Sequence, residues 1–251
     1  MIEIRALQTH EEMVEAVDIQ QLIWGFEDVE LMPVRLFVTA TKIGGQAFGA
    51  FDQGRMIGFC LALPGIKSKP PSGGPAGNKS YLHSQMLGVI KEYRDAGVGR
   101  MLKLEQRKDG VARGIALMEW TFDPLEIKNA YFNIERLGAV VRRFTLNQYG
   151  TTSSKLHAGL PTDRCVAEWW LSSPRVDAIL RGHPPDRAPH EASIAVPASI
   201  YEIKANDPVL ARDIQKRVSG EFQEHFSKGL VVTAFERTPE AGKYIFTWDS
   251  K

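Results

Sequence analysis

The stretch that decides the fold is SYLHSQMLGVI-KEYRDAGVGR-MLKLEQRKDGVARG, residues 80–114. Its first eleven residues alternate large apolar side chains with small or polar ones, which predicts a β-strand. The last part predicts a helix, because its apolar residues share one broad stripe at helical spacing, and Gly114 is placed to end it. The predicted stripe consists of Val98, Met101, Leu104, Val111 and Ala112.

A tight turn with two glycines, Arg94-Asp95-Ala96-Gly97-Val98-Gly99, lies between this strand and this helix. Such a turn leaves several backbone N–H groups unpaired and pointing the same way, and the positive end of the helix dipole adds to them. The sequence therefore predicts an anion site, most simply for a phosphate or pyrophosphate. It contains neither the Gly-Lys-Ser/Thr of a mononucleotide loop nor the three glycines of a dinucleotide loop.

The spacing Arg94-x-x-Gly97-x-Gly99 after Leu87-Gly88-Val89 resembles the acetyl-coenzyme A loop of the GCN5-related N-acetyltransferases, the GNAT superfamily. The resemblance implies an N-acetyltransferase that uses acetyl-CoA as co-substrate. In that family the Leu-x-Val backbone binds the pantetheine arm, and one of its N–H groups can serve the oxyanion. The coenzyme-binding residues it implies here are Leu87, Gly88, Val89, Arg94, Asp95, Ala96, Gly97, Val98, Gly99, Arg100 and, two residues off register, Asn129.

Candidate bases for the reaction lie on the strand before the turn and on the next strand. Acetyl transfer needs an amine without its extra proton, a donor for the oxyanion and a proton for the leaving thiolate. Relatives place a glutamate four residues before the leucine, and that position is His83. An imidazole, with an ordinary pKa of about 6.5, can accept an ammonium proton. A histidine merely hydrogen-bonded beside the sheet is the alternative, and Glu119 is a competing base.

The residue that would protonate the thiolate departs from the family pattern Ala-x-x-x-Tyr-x-x-x-Gly. The tyrosine position, four residues before Gly138, is Ile134. It lies on an apolar helix stripe with Ile127, Ala130 and Leu137, so we expect a core residue there. Tyr131, one turn earlier, or a water molecule is left to donate the proton.

Several other polar residues have simpler interpretations. Asp123 is explained as a helix cap. Lys103, Arg107 and Lys108 are interpreted as a solvated helix face, whereas Arg100 is placed to touch a coenzyme phosphate. A loop carrying His157, Asp163 and Arg164 predicts a polar cluster beside the cleft.

The predicted element order over residues 1–172, β-α-α-β-β-β-α-β-α-β-β, is the GNAT order. We therefore expect an α/β fold with a mixed central sheet flanked by helices, forming an acetyl-CoA-binding domain. Residues 173–197, rich in proline, predict a linker. Residues 198–251 predict a β-α-β-β unit packed on the first domain, beginning with a strand at 199–204. The segment 64–79 predicts either a functional lid or a simple connector.

Composition excludes some classes of protein. The 31 basic and 30 acidic side chains of the 251 residues give a net charge of +1, which provides no global basic field for nucleic acid. Cys60 and Cys165 lie in apolar tracts and predict buried free thiols. The start MIEIRALQTHEEM is too polar for a signal peptide, and no apolar run approaches the roughly 20 residues that span a bilayer. No metal-ligand spacing occurs. We expect a cytoplasmic protein without membrane or metal, and a homodimer is left open.

Three functions remain open from the sequence. The first is an acyltransferase that moves an acetyl group from acetyl-CoA to an amine of a small molecule or peptide by direct attack on the thioester. The second, motivated by Ile134, is a catalytically weak acyl-CoA-binding sensor or scaffold. The third is a module that binds a partner through its C-terminal unit. The sequence specifies neither the acceptor nor the acyl chain length.

Overall fold

The computed structural model describes residues 1–67, 79–150, 159–187 and 189–249. These residues form ten strands and seven α-helices. They pack into two compact units, an N-terminal unit of Met1–Glu119 and a C-terminal unit that begins at Trp120. The predicted segment 64–79 begins in a strand and ends in the next, and its residues 68–78 lie outside the described ranges.

The N-terminal unit contains β1 to β4, α1 to α3 and the start of β5. The bounds are β1 Glu3–Ala6, α1 His10–Trp24, α2 Val34–Lys42, β2 Gln46–Asp52, β3 Arg55–Lys67, β4 Lys79–Val89, α3 Val98–Ala112 and β5 Leu117–Phe122. A capping box between Thr9 and Glu12 begins α1, and Gly25 ends it in a left-handed conformation.

The strands of the N-terminal unit are ordered β1-β2-β3-β4-β5. The first three pairs are antiparallel, and the β2–β3 hairpin turns at Gln53 and Gly54, both with positive φ. By contrast, β5 pairs parallel to β4, because α3 forms the crossover between them. The sheet is therefore mixed, as expected.

Helix α3 buries a different face from the predicted one. Met101 and Val111 are 36% and 40% exposed, whereas the buried residues are Val98, Leu102, Lys103, Gln106 and Gly110. The predicted stripe is therefore wrong after Val98. The reason is that two polar residues find hydrogen-bond partners inside the unit, so apolar character does not mark the buried face.

The C-terminal unit contains the remaining elements. They are α4 Ile127–Tyr131, a π-helical turn Phe132–Arg136, β6 Val140–Thr145, β7 Arg164–Trp170, α5 Pro174–Leu180, β8 Ala192–Pro197, α6 Ile200–Asn206, α7 Pro208–Ser227, β9 Leu230–Arg237 and β10 Ala241–Trp248. The strands are ordered β7-β6-β9-β10-β8, and the pairs β6–β7, β6–β9, β9–β10 and β8–β10 are antiparallel.

The structure confirms the predicted order of elements from β1 to β7. The apolar stripe of α4 and its π-helical continuation is also confirmed, since Ile127, Ala130, Ile134 and Leu137 are all buried. The helix begins at Ile127, later than the predicted Asp123, because residues 123–126 form a turn closed by Asp123 on the N–H of Leu125.

The region after β7 differs from its prediction in secondary structure. Residues 173–197, expected as a linker, contain α5 and β8. Ser173 caps α5 and Pro174 occupies its first turn, which explains why a proline-bearing segment is helical. The strand predicted at 199–204 is wrong, because this segment belongs to α6 and β8 provides the strand beside β10.

Two further observations concern the whole described chain. Cys60 and Cys165 are buried free thiols, as predicted, and burial raises the pKa of Cys60 to about 12. None of the helices in the described ranges is long and apolar enough to cross a membrane.

Candidate functional site

The turn between β4 and α3 is exposed and has an unusual backbone. Asp95 and Gly97 have φ angles of 62° and 81°, and Gly97 is the N-cap of α3. A Cβ built on Gly97 would meet nothing within 4 Å, so the turn faces open space. Because φ is positive at Asp95 and Gly97 and not at Ala96 between them, successive N–H groups of the turn point into a concavity that can bind an anion.

The start of α3 adds backbone donors to this turn. The first hydrogen bond of the helix runs from the Met101 N–H to the Gly97 carbonyl over 3.0 Å, so the N–H groups of Val98 and Gly99 precede it. The helix has 15 residues, enough for a developed dipole whose positive end lies at this turn. The arrangement can bind a phosphate or pyrophosphate group.

Side chains of the turn hold it against the rest of the N-terminal unit. The Arg94 guanidinium donates to the carbonyls of Val89 and Ile23 over 3.2 and 3.4 Å. The Tyr93 hydroxyl donates to Asp52 over 2.8 Å, a bond that raises the pKa of Tyr93. In this structure Arg94 therefore positions the turn through its backbone contacts.

Strand β4 contains a bulge just before the Leu-x-Val step. Leu61 lies opposite Met86 and Ala62 opposite Ser84, so Gln85 is the extra residue. Ser84 faces α3, where its Oγ meets Lys103. Leu87 faces α3 as well, since its Cδ2 would lie 3.5 Å from a Cβ on Gly99. Two residues three positions apart share a face only because of the bulge.

The segment Met86–Val89 follows this bulge and has one edge paired with β3. The register between β4 and β5 pairs Leu82 with Met118 and His83 with Glu119. Among the described residues of the N-terminal unit, no strand residue pairs with the other edge of residues 86–89. Backbone N–H and C=O groups on that edge are placed to bind an extended ligand that carries amides.

His83 and Glu119 lie side by side on one face of the sheet, because they are register partners in β4 and β5. The carboxylate of Glu119 forms an ion pair with the ammonium group of Lys67, at the end of β3. The same ammonium lies 4.9 Å from the ring centroid of Tyr81, two residues before His83. The Glu119 side chain is only 4% exposed and that of Lys67 17%. We call these four residues the polar face.

The opposite face of β4 packs against α3, and this helix carries a buried lysine. Lys103 is 3% exposed, and its Nζ donates to Ser84 Oγ over 2.8 Å. Burial lowers its pKa from 10.5 to about 7. Ser84 in turn donates to Gln106 over 3.3 Å. The interpretation of Lys103 as part of a solvated face is therefore wrong.

The C-terminal unit holds the other two predicted site residues. Tyr131 is half-buried, with the Arg237 guanidinium 5.3 Å from its ring centroid. It lines an open groove of about 690 Å³ together with Glu135, Arg187 and Phe235. Asn129 is exposed on α4, and Ile134, at the tyrosine position of the family pattern, is fully buried.

The polar cluster predicted after β6 is structural in its described part. Asp163 is buried and accepts hydrogen bonds from the Asn147 N–H and the Ser219 hydroxyl. Arg164 is buried and its guanidinium lies 5.5 Å from the Tyr149 ring centroid. His157 lies outside the described residues.

Lys67 and Lys103 are the two residues that the sequence did not indicate. Lys67 stands in a segment with loop-like composition, and its partner Glu119 is 52 residues away. The burial of Lys103 could have been detected in the sequence. Lys103 directly follows Leu102, which belongs to a buried row of residues four positions apart: Val98, Leu102, Gln106 and Gly110. In the described ranges, no group of three or more His, Cys, Asp or Glu side chains could hold a metal ion.

Comparison with known proteins gives structural likeness and no likeness in sequence. No family model matches the chain, and no curated protein matches it. The ribosomal-protein-S18-alanine N-acetyltransferase of Escherichia coli is similar with a TM-score of 0.52 and 17% identity, over 69% of this chain and 96% of that one.

A second similar structure is NAA60 of Arabidopsis thaliana. Its complex with a bisubstrate analogue has a TM-score of 0.54 and 16% identity, over 68% of this chain and 99% of that one. Its complex with acetyl-CoA has a TM-score of 0.53 and 14% identity, with the same coverage. At these identities the likeness concerns the fold, and the chain has the GNAT fold.

Proposed function

We propose that this GNAT-fold protein is an N-acetyltransferase, which moves the acetyl group of acetyl-CoA to an amine of a small molecule or peptide. One observation carries the proposal: the exposed donor-rich turn at Gly97 follows directly on the strand edge 86–89. In coenzyme A an amide-bearing arm is joined to a pyrophosphate, so the strand edge matches the arm and the turn matches the pyrophosphate. The structures of similar fold include one that holds acetyl-CoA.

The coenzyme would bind mainly to backbone. Gly97, Val98 and Gly99 offer N–H groups to the pyrophosphate, and the edge 86–89 offers its peptide groups to the pantetheine arm. Asp95 and Ala96 shape the turn, Arg94 holds it, and Arg100 contacts a phosphate. Asn129 is proposed to contact the pantetheine arm.

His83 is the proposed general base. The acceptor arrives as an ammonium ion, and the imidazole removes one proton directly or through water. The nitrogen then attacks the thioester carbonyl and a Leu87–Val89 N–H stabilises the oxyanion. The nitrogen, now positively charged, loses its second proton to water, and the C–S bond breaks. The leaving thiolate takes a proton from Tyr131 or from water. Glu119 is the weaker candidate for the base, because its carboxylate is already paired with Lys67.

Calorimetric titration with acetyl-CoA tests this function, with Gly97→Trp as the disruptive variant. Gly54→Trp is a matched control, because Gly54 has a φ of 83° and equally open surroundings in the β2–β3 turn. Both substitutions strain the backbone alike, so only a ligand at the α3 turn separates them. We expect wild type and Gly54→Trp to bind, and Gly97→Trp to lose binding.

The same protein samples separate an enzyme from a sensor. Release of coenzyme A across a panel of amines is expected for the wild type. Tight binding without turnover would favour the catalytically weak sensor or scaffold, and absence of binding would contradict both functions. Tyr131→Phe tests the proton donor, since loss of the hydroxyl should slow turnover and leave affinity intact.

The remaining assignments are proposals of the same kind. We place the acetyl-CoA-binding domain in residues 1–172, followed by a connecting region 173–197 and a C-terminal segment 198–251. A cytoplasmic location and a homodimer also remain proposals, which fractionation and light scattering would test. A partner-binding role of residues 198–251 is tested by a chain that ends near Ser172.

A further inference from the structure

The residues after β7 hold α4, the short helix whose last residue is Tyr131. The GNAT order of elements is complete at β7, so these residues are additional to the shared fold. Their contacts with α4 lie inside the C-terminal unit. They occur at the start of the helix, in the π-helical turn after it, and on Tyr131 itself.

Two of these contacts fix the backbone at the ends of α4. Lys204 of α6 pairs with Glu126, the N-cap residue of the helix, at 3.1 Å. In the π-helical turn, the Glu135 carboxylate accepts the N–H of Phe235 in β9 over 2.7 Å. A helix of five residues is marginal by itself, so tertiary contacts of this kind determine where it lies.

The third contact is made with the side chain of Tyr131. The guanidinium of Arg237, the last residue of β9, lies over the ring, 5.3 Å from its centroid. The nearby carboxylates of Glu135 and Glu236 pair with Arg187 at 3.4 and 2.6 Å. Among the described residues no carboxylate forms an ion pair with Arg237, so its charge acts on the Tyr131 ring.

We infer that Arg237 is a positioning residue for the proton transfer, which holds the Tyr131 ring and thereby directs its hydroxyl to the leaving thiolate. The inference rests on the proposed acetyl transfer and selects Tyr131 over water as the proton donor. When the C–S bond breaks, sulfur keeps the bonding electron pair and takes the hydroxyl proton, and the phenolate regains a proton from water. A guanidinium over the ring attracts the phenolate charge, so the contact strengthens as the proton leaves.

Arg237→Met removes the cation and keeps an unbranched side chain at an exposed position. We expect kcat to fall about two- to fivefold, the factor that corresponds to an exposed cation–π contact, with the Kd for acetyl-CoA unchanged. Arg237→Lys keeps the charge and should retain most of the wild-type kcat. Release of coenzyme A with an accepted amine measures kcat, and calorimetric titration measures the Kd.

The Tyr131→Phe background separates positioning from a general loss of stability. Phenylalanine keeps the ring and lacks the hydroxyl, so Arg237→Met should not lower kcat further in that background. Arg5→Met is a matched control, because the Arg5 guanidinium lies 3.9 Å from the Phe51 ring centroid in the N-terminal unit. It loses a contact of the same kind and should keep the wild-type kcat at a temperature where all variants are folded.

A spectroscopic measurement reports on the same contact without turnover. The chain has six tyrosines, and in protein labelled with carbon-13 at tyrosine Cζ the signal missing from Tyr131→Phe is that of Tyr131. Added coenzyme A places its thiol at the hydroxyl. We expect it to move the Tyr131 signal in wild type and Arg237→Lys, and to move it less in Arg237→Met.

Each outcome decides the question. A fall in kcat that lysine rescues and that disappears in Tyr131→Phe supports the positioning role. Wild-type kcat in Arg237→Met, an equal fall in the Tyr131→Phe background, or no rescue by lysine overturns it. If Arg237→Met does not fold, Arg237→Gln takes its place in the same cycle. Absence of turnover in the wild type contradicts acetyl transfer, and an unchanged Tyr131 signal in Arg237→Met then overturns the positioning role separately.

Discussion

Lys103 and Ser84 form a hydrogen bond of 2.8 Å inside the N-terminal unit, between the middle of α3 and the strand that carries His83. The lysine is 3% exposed, and burial lowers its pKa to about 7. A cation inside a unit destabilises the folded state until it loses its proton. This pair therefore makes stability depend on pH near neutrality.

Lys103→Met should remove that dependence. Between about pH 7 and the ordinary lysine value of 10.5, the unfolded chain binds more protons at Lys103 than the folded chain. Stability from this group therefore rises with pH, by at most about 1.4 kcal/mol per pH unit. In urea denaturation between pH 7.5 and 9.5, the free energy of unfolding of the wild type should rise relative to that of the variant. Lys108→Met, which changes an exposed lysine, should follow wild type. Parallel profiles of wild type and Lys103→Met would contradict the assignment.

Gly99→Ala should separate coenzyme affinity from stability. A Cβ on Gly99 would meet only Leu87 Cδ2 at 3.5 Å, an ordinary contact, and alanine favours a helix by up to about 1 kcal/mol. Stability should hold or rise, whereas affinity for acetyl-CoA should fall about tenfold as the methyl group enters the anion site. Gly220→Ala, in an open position of α7, should raise stability without changing affinity. Unchanged affinity in Gly99→Ala would count against the site.

His83→Gln should slow turnover by roughly two to four orders of magnitude, the usual contribution of a general base, and leave acetyl-CoA affinity nearly unchanged. Glutamine keeps size and hydrogen bonding but accepts no proton at neutral pH. The wild-type rate should rise with pH through an ionisation that the variant lacks. Steady-state rates between pH 5.5 and 9 measure this, with the exposed His183→Gln as control. A variant with the wild-type rate and profile would make His83 structural.

Lys204→Met should strongly destabilise the C-terminal unit. Lys204, 5% exposed at its side chain, binds Asp123 and Glu126 at 3.1 Å each. Burial opposes its charge, but the two carboxylates outweigh burial and hold the pKa of Lys204 above its ordinary value. Removing the ammonium takes away the cation that both carboxylates share, and we expect a loss of about 3–5 kcal/mol in chemical denaturation. Lys228→Met, at an exposed pair, should leave stability nearly unchanged. A similar result for both variants would refute the argument.

Local sequence patterns were sufficient to predict the order of elements from β1 to β7. Period-two and helical patterns, together with caps such as Thr9, give the order of elements because each depends on neighbouring residues. The burial of Ile134 followed from its stripe in the same way. After β7, the sequence wrongly predicts a strand at 199–204 instead of at Ala192–Pro197. The strand Ala192–Pro197 is specified by its pairing with β10, about 50 residues away in the chain.

The candidate site was predictable only where the backbone defines it. The turn at Gly97 and the strand before it are visible in the sequence, because glycine spacing reports on backbone geometry. The environment of side chains is not visible in this way. The pairing of Lys67 with Glu119 joins residues 52 positions apart, and Lys103 is buried because Ser84 accepts its hydrogen bond.

The extra residue Gln85 gives β4 two successive phases of alternation. Upstream, Ser84 points to α3 and His83 away from it; downstream, Leu87 points to α3 and Gly88 toward α1, where a Cβ would lie 2.6 Å from Ile23. Deletion of this one residue would exchange the downstream faces and drive Leu87 against α1. The strand can thus present His83, the proposed base, in one phase and the proposed coenzyme edge 86–89 in the other.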